Sequence, residues 1–212
     1  MVHRNSGNIC AIHGCNQSVF GIERTHNEQV LVAPCGIILA HEKFYGAEGI
    51  STWAVRSVLD GCYLVSKFWL HFSKEFIKRT FRIHGQLPDH IFFNNNCSLA
   101  KHVEDDPNFK NIGLSVDVFH FSCKHAVTNK FCQTHCNPGN FPELLSEDGQ
   151  GWYFNSSIAE QTNVWLGGFH AILQKMHVDL YNFFLDEMII LRNQLTQARL
   201  REQGHCPLTK FR

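Results

Sequence analysis

The stretch Asp89-His90-Ile91-Phe92-Phe93-Asn94-Asn95-Asn96-Cys97 decides how this chain is read. Ile91, Phe92 and Phe93 form a short apolar run, too short for a helix and bounded by polar turn residues, so a buried strand is expected over 89–94. A helix is expected soon after, over 98–104, stopped by Asp105-Asp106-Pro107. The end of such a strand is where an α/β sheet presents its chemistry. Asn94 stands there, and a neutral amide oxygen is a weak ligand where paired divalent ions require carboxylates.

Working outward, 29–34 (QVLVAP) and 37–44 read as two strands turned by Cys35-Gly36. Residues 48–81 are helical in composition, and 112–117 is a further strand. A Cys/His-rich loop spans 119–138. Two helices close the pattern. The first covers 158–176, with Ile158, Trp165, Phe169, Ile172, Leu173 and Met176 at helical spacing, and the second covers 180–201. The order hairpin, helix, strand, helix, strand, helix describes an α/β sheet with mixed strand directions.

The 212 residues fit one domain, and 44% hydrophobic with 18% charged residues suits a globular chain. The formal net charge is zero, so the strong positive field of an autonomous DNA binder is missing. Residues 1–27 are polar and irregular, without the apolar run of a secretory signal. The run 55–72 is interrupted by Asp60, Gly61 and Lys67, so no membrane span is expected. The expected setting is intracellular and reducing, where nine Cys and fourteen His favour metal sites over disulfides.

Several segments together resemble the Kyakuja-Dileera-Zisupton (KDZ) transposase-like proteins, in a fungal type associated with cysteine clusters. Phe93 to His102 (FNNNCSLAKH) resembles their "YDxAC" or "FDNNC" segment. Val116 to Phe121 (VDVFHF), Cys132 to Pro138 (CQTHCNP) and Asn155 to Asn163 (NSSIAEQTN) are similar to their "VDxFHF", "C…CNP" and "NSSxAEQxN". Residues 25–29 and 33–38 also fit, so the resemblance covers roughly 22–50 and 75–194.

The resemblance implies a ribonuclease H-like core in which two Asp and one Glu hold two divalent metals for in-line attack on a DNA phosphodiester. It implies DNA as partner and the nucleus as location. The second Asp corresponds to Asn94 and the Glu to Glu160. The first Asp has no counterpart, since no Asp precedes Asp60. The expected fold is therefore a ribonuclease H-like core lacking its first strand, with a Cys/His-rich insertion and two C-terminal helices. Glu160 also reads as the fourth member of a capping box with Ser157. Asp117 reads either as a metal ligand or as the residue fixing the turn after its strand. With two of three carboxylates gone, the ancestral Mg²⁺ is not expected to bind, and no strand transfer is expected. The alternative is a zinc-stabilised module that binds protein or DNA.

His120, Cys123, His125, Cys132, His135 and Cys136 lie within 17 residues. The expected structural Zn²⁺ ligands are His120, His125, Cys132 and Cys136, with Cys123 as the alternative ligand. Cys10, His13 and Cys15 in the 1–27 segment resemble part of a cysteine cluster, but supply fewer than four ligands. Residues 52–74 interrupt a stretch that is continuous in the family, and read either as translated non-family sequence or as a longer helix packed on the sheet. The core is thus expected over 28–202, with 203–212 as a tail. Without a central first strand, the hairpin and the 89–94 strand should pair directly or leave edges open to self-association.

Overall fold

The structure is a computed structural model that describes residues 26–45, 62–82, 87–125, 127–153, 155–173 and 175–205. Strand β1 (His26–Val32) pairs antiparallel with β2 (Ile38–Tyr45). The joining turn is set by Pro34 and Gly36: the Gly36 N–H donates to the Ala33 carbonyl at 2.8 Å, and Gly36 sits at φ +89°, a conformation costly for any residue with a Cβ. Strand β3 (His90–Phe92) pairs parallel with β4 (Gly113–Ser115). The mixed α/β architecture and mixed strand directions expected from the sequence are present.

The described helices are α1 (Cys62–Arg82), α2 (Asn96–His102), α3 (Val118–Lys124), α4 (Lys130–His135), α5 (Ile158–Gly167), α6 (His170–Leu173) and α7 (Val178–Glu202). None is long and apolar enough to cross a membrane. Two expectations are corrected here, and a third segment is described in part. The 119–138 segment is not a plain loop but carries α3 and α4, capped by Asp117 on the His120 N–H and by Asn129 on the Cys132 N–H. The single helix expected over 158–176 is broken at Gly167-Gly168, where neither residue gains side-chain packing to offset its backbone entropy. Residues 62–74 run without interruption into the rest of α1, while 52–61 and the Cys10, His13, Cys15 group lie outside the described residues.

Three apolar clusters form the interior; the smallest is Cys97, Val116, Cys132 and Cys136, and the two larger ones meet at β1. One joins Leu70 and Ile77 of α1, Ile91 of β3, Leu99 of α2, Val103, Phe109 and Leu114 of β4. The other joins Ile38 of β2 to Leu173, Tyr181, Leu185 and Ile189. Strand β1 contacts both, because successive side chains of a strand point to opposite faces: Leu31 packs on the first cluster, Val30 and Val32 on the second. Asn193 of α7 accepts the Ile38 N–H at 2.9 Å and donates to the Ile38 carbonyl at 2.8 Å, a side-chain substitute for a neighbouring strand.

Among the described residues the two strand pairs do not join into one sheet. A cavity of about 460 Å³ lies between them, walled by residues 28–31 of β1 on one side and 91–94 on the other. Direct pairing of the hairpin with the 89–94 strand, one of the two expected outcomes, is not seen among the described strands.

Candidate functional site

Asn94, Asp117, His120, Ser156, Ser157 and Glu160 all line that cavity. The parallel β3–β4 pair brings the first two together: Asn94 follows β3 and Asp117 follows β4, so both emerge at the same end of adjacent strands. Helix α5 brings Glu160 to the same space in its first turn.

Asp117 is buried, and both of its carboxylate oxygens are engaged. Oδ1 accepts the His120 backbone N–H at 3.0 Å and the His120 Nδ1–H at 3.3 Å. Oδ2 accepts the Ser156 and Ser157 hydroxyls at 2.9 and 2.8 Å. Burial opposes ionisation, but these donors outweigh it and hold the carboxyl below its ordinary range. The turn-fixing role for Asp117 is thus observed as a helix cap, shared with the start of α5.

The His120 ring runs on to Asn94, whose Nδ2 lies 3.3 Å from His120 Nε2. An amide NH₂ only donates, so Nε2 accepts and the proton sits on Nδ1, facing Asp117. The result is a directed chain from Asn94 through His120 to Asp117. The capping box at Ser157 and Glu160 is not formed: Ser157 is the N-cap residue, but its hydroxyl is committed to Asp117. The Glu160 side chain is left exposed at the rim of the cavity.

Beside this chain lies a second group. Cys97 in the first turn of α2, His125 at the end of α3 and Cys132 in α4 place their ligand atoms within 4.8 Å of one another. His125 Nδ1 is 2.8 Å from Cys132 Sγ and 3.6 Å from Cys97 Sγ. His125 Nε2 faces the Asn94 carbonyl at 3.2 Å, which can only accept. That bond puts the proton on Nε2 and leaves the Nδ1 lone pair directed at the sulfurs, the outer-shell arrangement of ligating histidines. Cys97 and Cys132 are joined as a disulfide in the structure. Reduced, the pair presents two thiolates beside a bare imidazole nitrogen, so the donor set fits a metal ion.

The structure brings together only part of the expected ligand set. His125 and Cys132 are in the group. His120 is taken up by Asp117 and Asn94. Cys123 is exposed on α3, next to Ser122. Cys136 is fully buried against Cys97, Val116 and Cys132, where burial pushes its thiol up to about 11. Cys97 was not among the expected ligands. Its signal was its place one residue into a helix that begins directly after β3, which turns its side chain towards whatever follows the parallel neighbour β4.

Compared with known proteins, the chain matches no family model, no curated protein and no solved structure.

Proposed function

We propose that this chain is the degenerate core of a KDZ-like DDE transposase, with a ribonuclease H-like origin and no remaining strand-transfer activity. One observation carries the reading. The three positions that the resemblance marks as catalytic or adjacent, Asn94, Asp117 and Glu160, line a single cavity at the ends of two parallel strands. They are separated by 23 and 43 residues in the sequence.

The residues present do not fit a pair of divalent ions. Asn94 offers one neutral oxygen, and its amide is engaged with His120. Asp117 already accepts four hydrogen bonds and would have to shed the two serine hydroxyls to coordinate. Glu28 of β1 also lines the cavity, but His41 and the Tyr181 hydroxyl hold its two oxygens at 2.7 and 3.1 Å. Glu160 is left as the one exposed carboxylate. A single carboxylate cannot clamp both the attacking and the leaving oxygen of a phosphodiester. The test is a Mg²⁺- and Mn²⁺-dependent nicking assay on the full chain. No cleavage is expected; cleavage that Glu160→Gln abolishes would overturn the reading.

The nearby trio has a different role in this proposal. Once their disulfide is reduced, Cys97 and Cys132 would hold a structural Zn²⁺ together with His125, tying the starts of α2 and α4 to the end of α3, with buried Cys136 packed against both thiols. This supports a second reading, a zinc-stabilised module for protein or DNA, with the nucleus as the location that the KDZ resemblance implies. Mass spectrometry of the metal should give one Zn²⁺ per chain, and less than about half an equivalent would sink the site. A mobility shift that persists at high salt would favour the module, since a chain of zero net charge has little non-specific attraction to DNA.

A further inference from the structure

Helix α7 is apolar well beyond the side that it buries. Tyr181, Leu185, Met188 and Ile189 are buried and face the core. Leu180, Phe183, Ile190, Leu191 and Leu195 lie on another side, each between 48% and 70% exposed. At 100° per residue these five form one stripe about 140° wide, centred about 140° round the helix from the buried set. An ordinary surface helix carries charged and polar residues there. Glu187 and Gln194 are the polar positions within this stripe.

We propose that this stripe is a homodimer interface, in which α7 packs antiparallel against α7 of a second copy. Three features select a second copy. The first is charge placement. Asp179 lies eleven residues before Ile190 and Arg201 eleven residues after it. The 22 residues between them return the helix to within about 40° of the same direction, so both flank one edge of the stripe. A two-fold axis at Ile190 therefore sets each Asp179 against the partner copy's arginine at the other end, twice over. The second is extent. Five large side chains exposing ~100 Å² each, counted on both copies, amount to roughly 1,000 Å², the lower bound for a specific interface. The third is zero net charge, which leaves association unopposed by long-range repulsion. Both charged side chains are exposed, and Asp179 also lies 3.3 Å from His177.

Sedimentation equilibrium of the full chain tests this. A species of twice the 24.4 kDa chain mass is expected at micromolar concentration. Leu191→Glu should return the monomer with an unchanged circular-dichroism spectrum. Asp179→Arg and Arg201→Asp should each weaken association about tenfold, because each sets like charges together. Mixing those two variants should restore wild-type affinity, since the mixed pair regains opposite charges at both ends. A monomer at roughly 100 µM overturns the proposal, as does a dimer indifferent to Leu191→Glu. Failure of the mixture to recover would overturn the antiparallel arrangement. A chain that stays monomeric but floats with anionic vesicles through the same stripe would assign it to a lipid surface instead.

Discussion

At the scale of single residues, Asn94 and Asn96 divide the work that the opening stretch seemed to give to one position. Asn94 is exposed and completes a chain to Asp117. Asn96 is fully buried, and its NH₂ donates at 2.7 Å to both the Ile91 and Ser115 carbonyls, bridging the ends of β3 and β4. Its own oxygen has no partner. Asn96→Leu should therefore remove two buried hydrogen bonds, though the Ser115 carbonyl keeps the Phe93 N–H at 3.2 Å, and cost about 1–3 kcal/mol in urea unfolding. The same logic predicts what Asn94→Asp does. It replaces the amide donor facing His120 Nε2 by a carboxylate, which only accepts, so the directed contact is lost. The nicking assay should stay blank in the variant, because Asp117 keeps its four hydrogen bonds and is not freed to coordinate. Metal-dependent cleavage by Asn94→Asp would refute this.

At the scale of elements, much of the hairpin was legible. Cys35-Gly36 announces the turn between the strands expected over 29–34 and 37–44, although the first strand in fact ends at Val32 and Pro34 belongs to the turn. The caps of α3 and α4 were also written in Asp117 and Asn129, yet the density of Cys and His drew the reading towards a loop. What the sequence did not disclose is which elements meet. Cys97 is 35 residues from Cys132, and only the parallel β3–β4 pairing makes them neighbours. Likewise His41 of β2 reaches α7, with Nδ1 2.7 Å from Glu28 and Nε2 2.8 Å from Asp186. The Glu28 bond raises the His41 pKa, burial works against it, and Asp186 raises it further, for a net upward shift. A folded-state pKa above the unfolded one means that the folded chain binds the proton more tightly. The stability from this bridge is then complete below about pH 6.5, the unfolded value, and is lost as pH rises through the folded value. The difference in melting temperature between wild type and His41→Gln should shrink steadily from pH 5.5 to pH 9. A difference that grows with pH would reverse the assignment.

At the scale of the whole molecule, the two larger cores among the described residues share one strand. The α1, α2, β3 and β4 cluster and the β2, α6 and α7 cluster meet through β1, while the cavity separates the strand pairs beside it. A continuous sheet would bind the halves by a ladder of backbone hydrogen bonds. Here, among the described strands, side chains take over that connection, with Leu31 turned towards one half and Val30 and Val32 towards the other. Leu31 is half-buried, so Leu31→Ala should cost about 1–2 kcal/mol in total, less than a fully buried leucine. Its effect on cooperativity should be larger than its effect on stability. Hydrogen exchange read by mass spectrometry should show α2 and β4 opening in the variant at a free energy distinct from that of α7, whereas in the wild type they open closer together. Under the zinc proposal, chelation should act on the first half alone, because Cys97, His125 and Cys132 all belong to elements packed around β3 and β4. Protection in α2 and α4 should fall while α7 keeps its own. If Leu31→Ala and chelation both lowered protection evenly across α2 and α7, the two clusters would be one cooperative unit, and the gap between the strand pairs would have no energetic consequence.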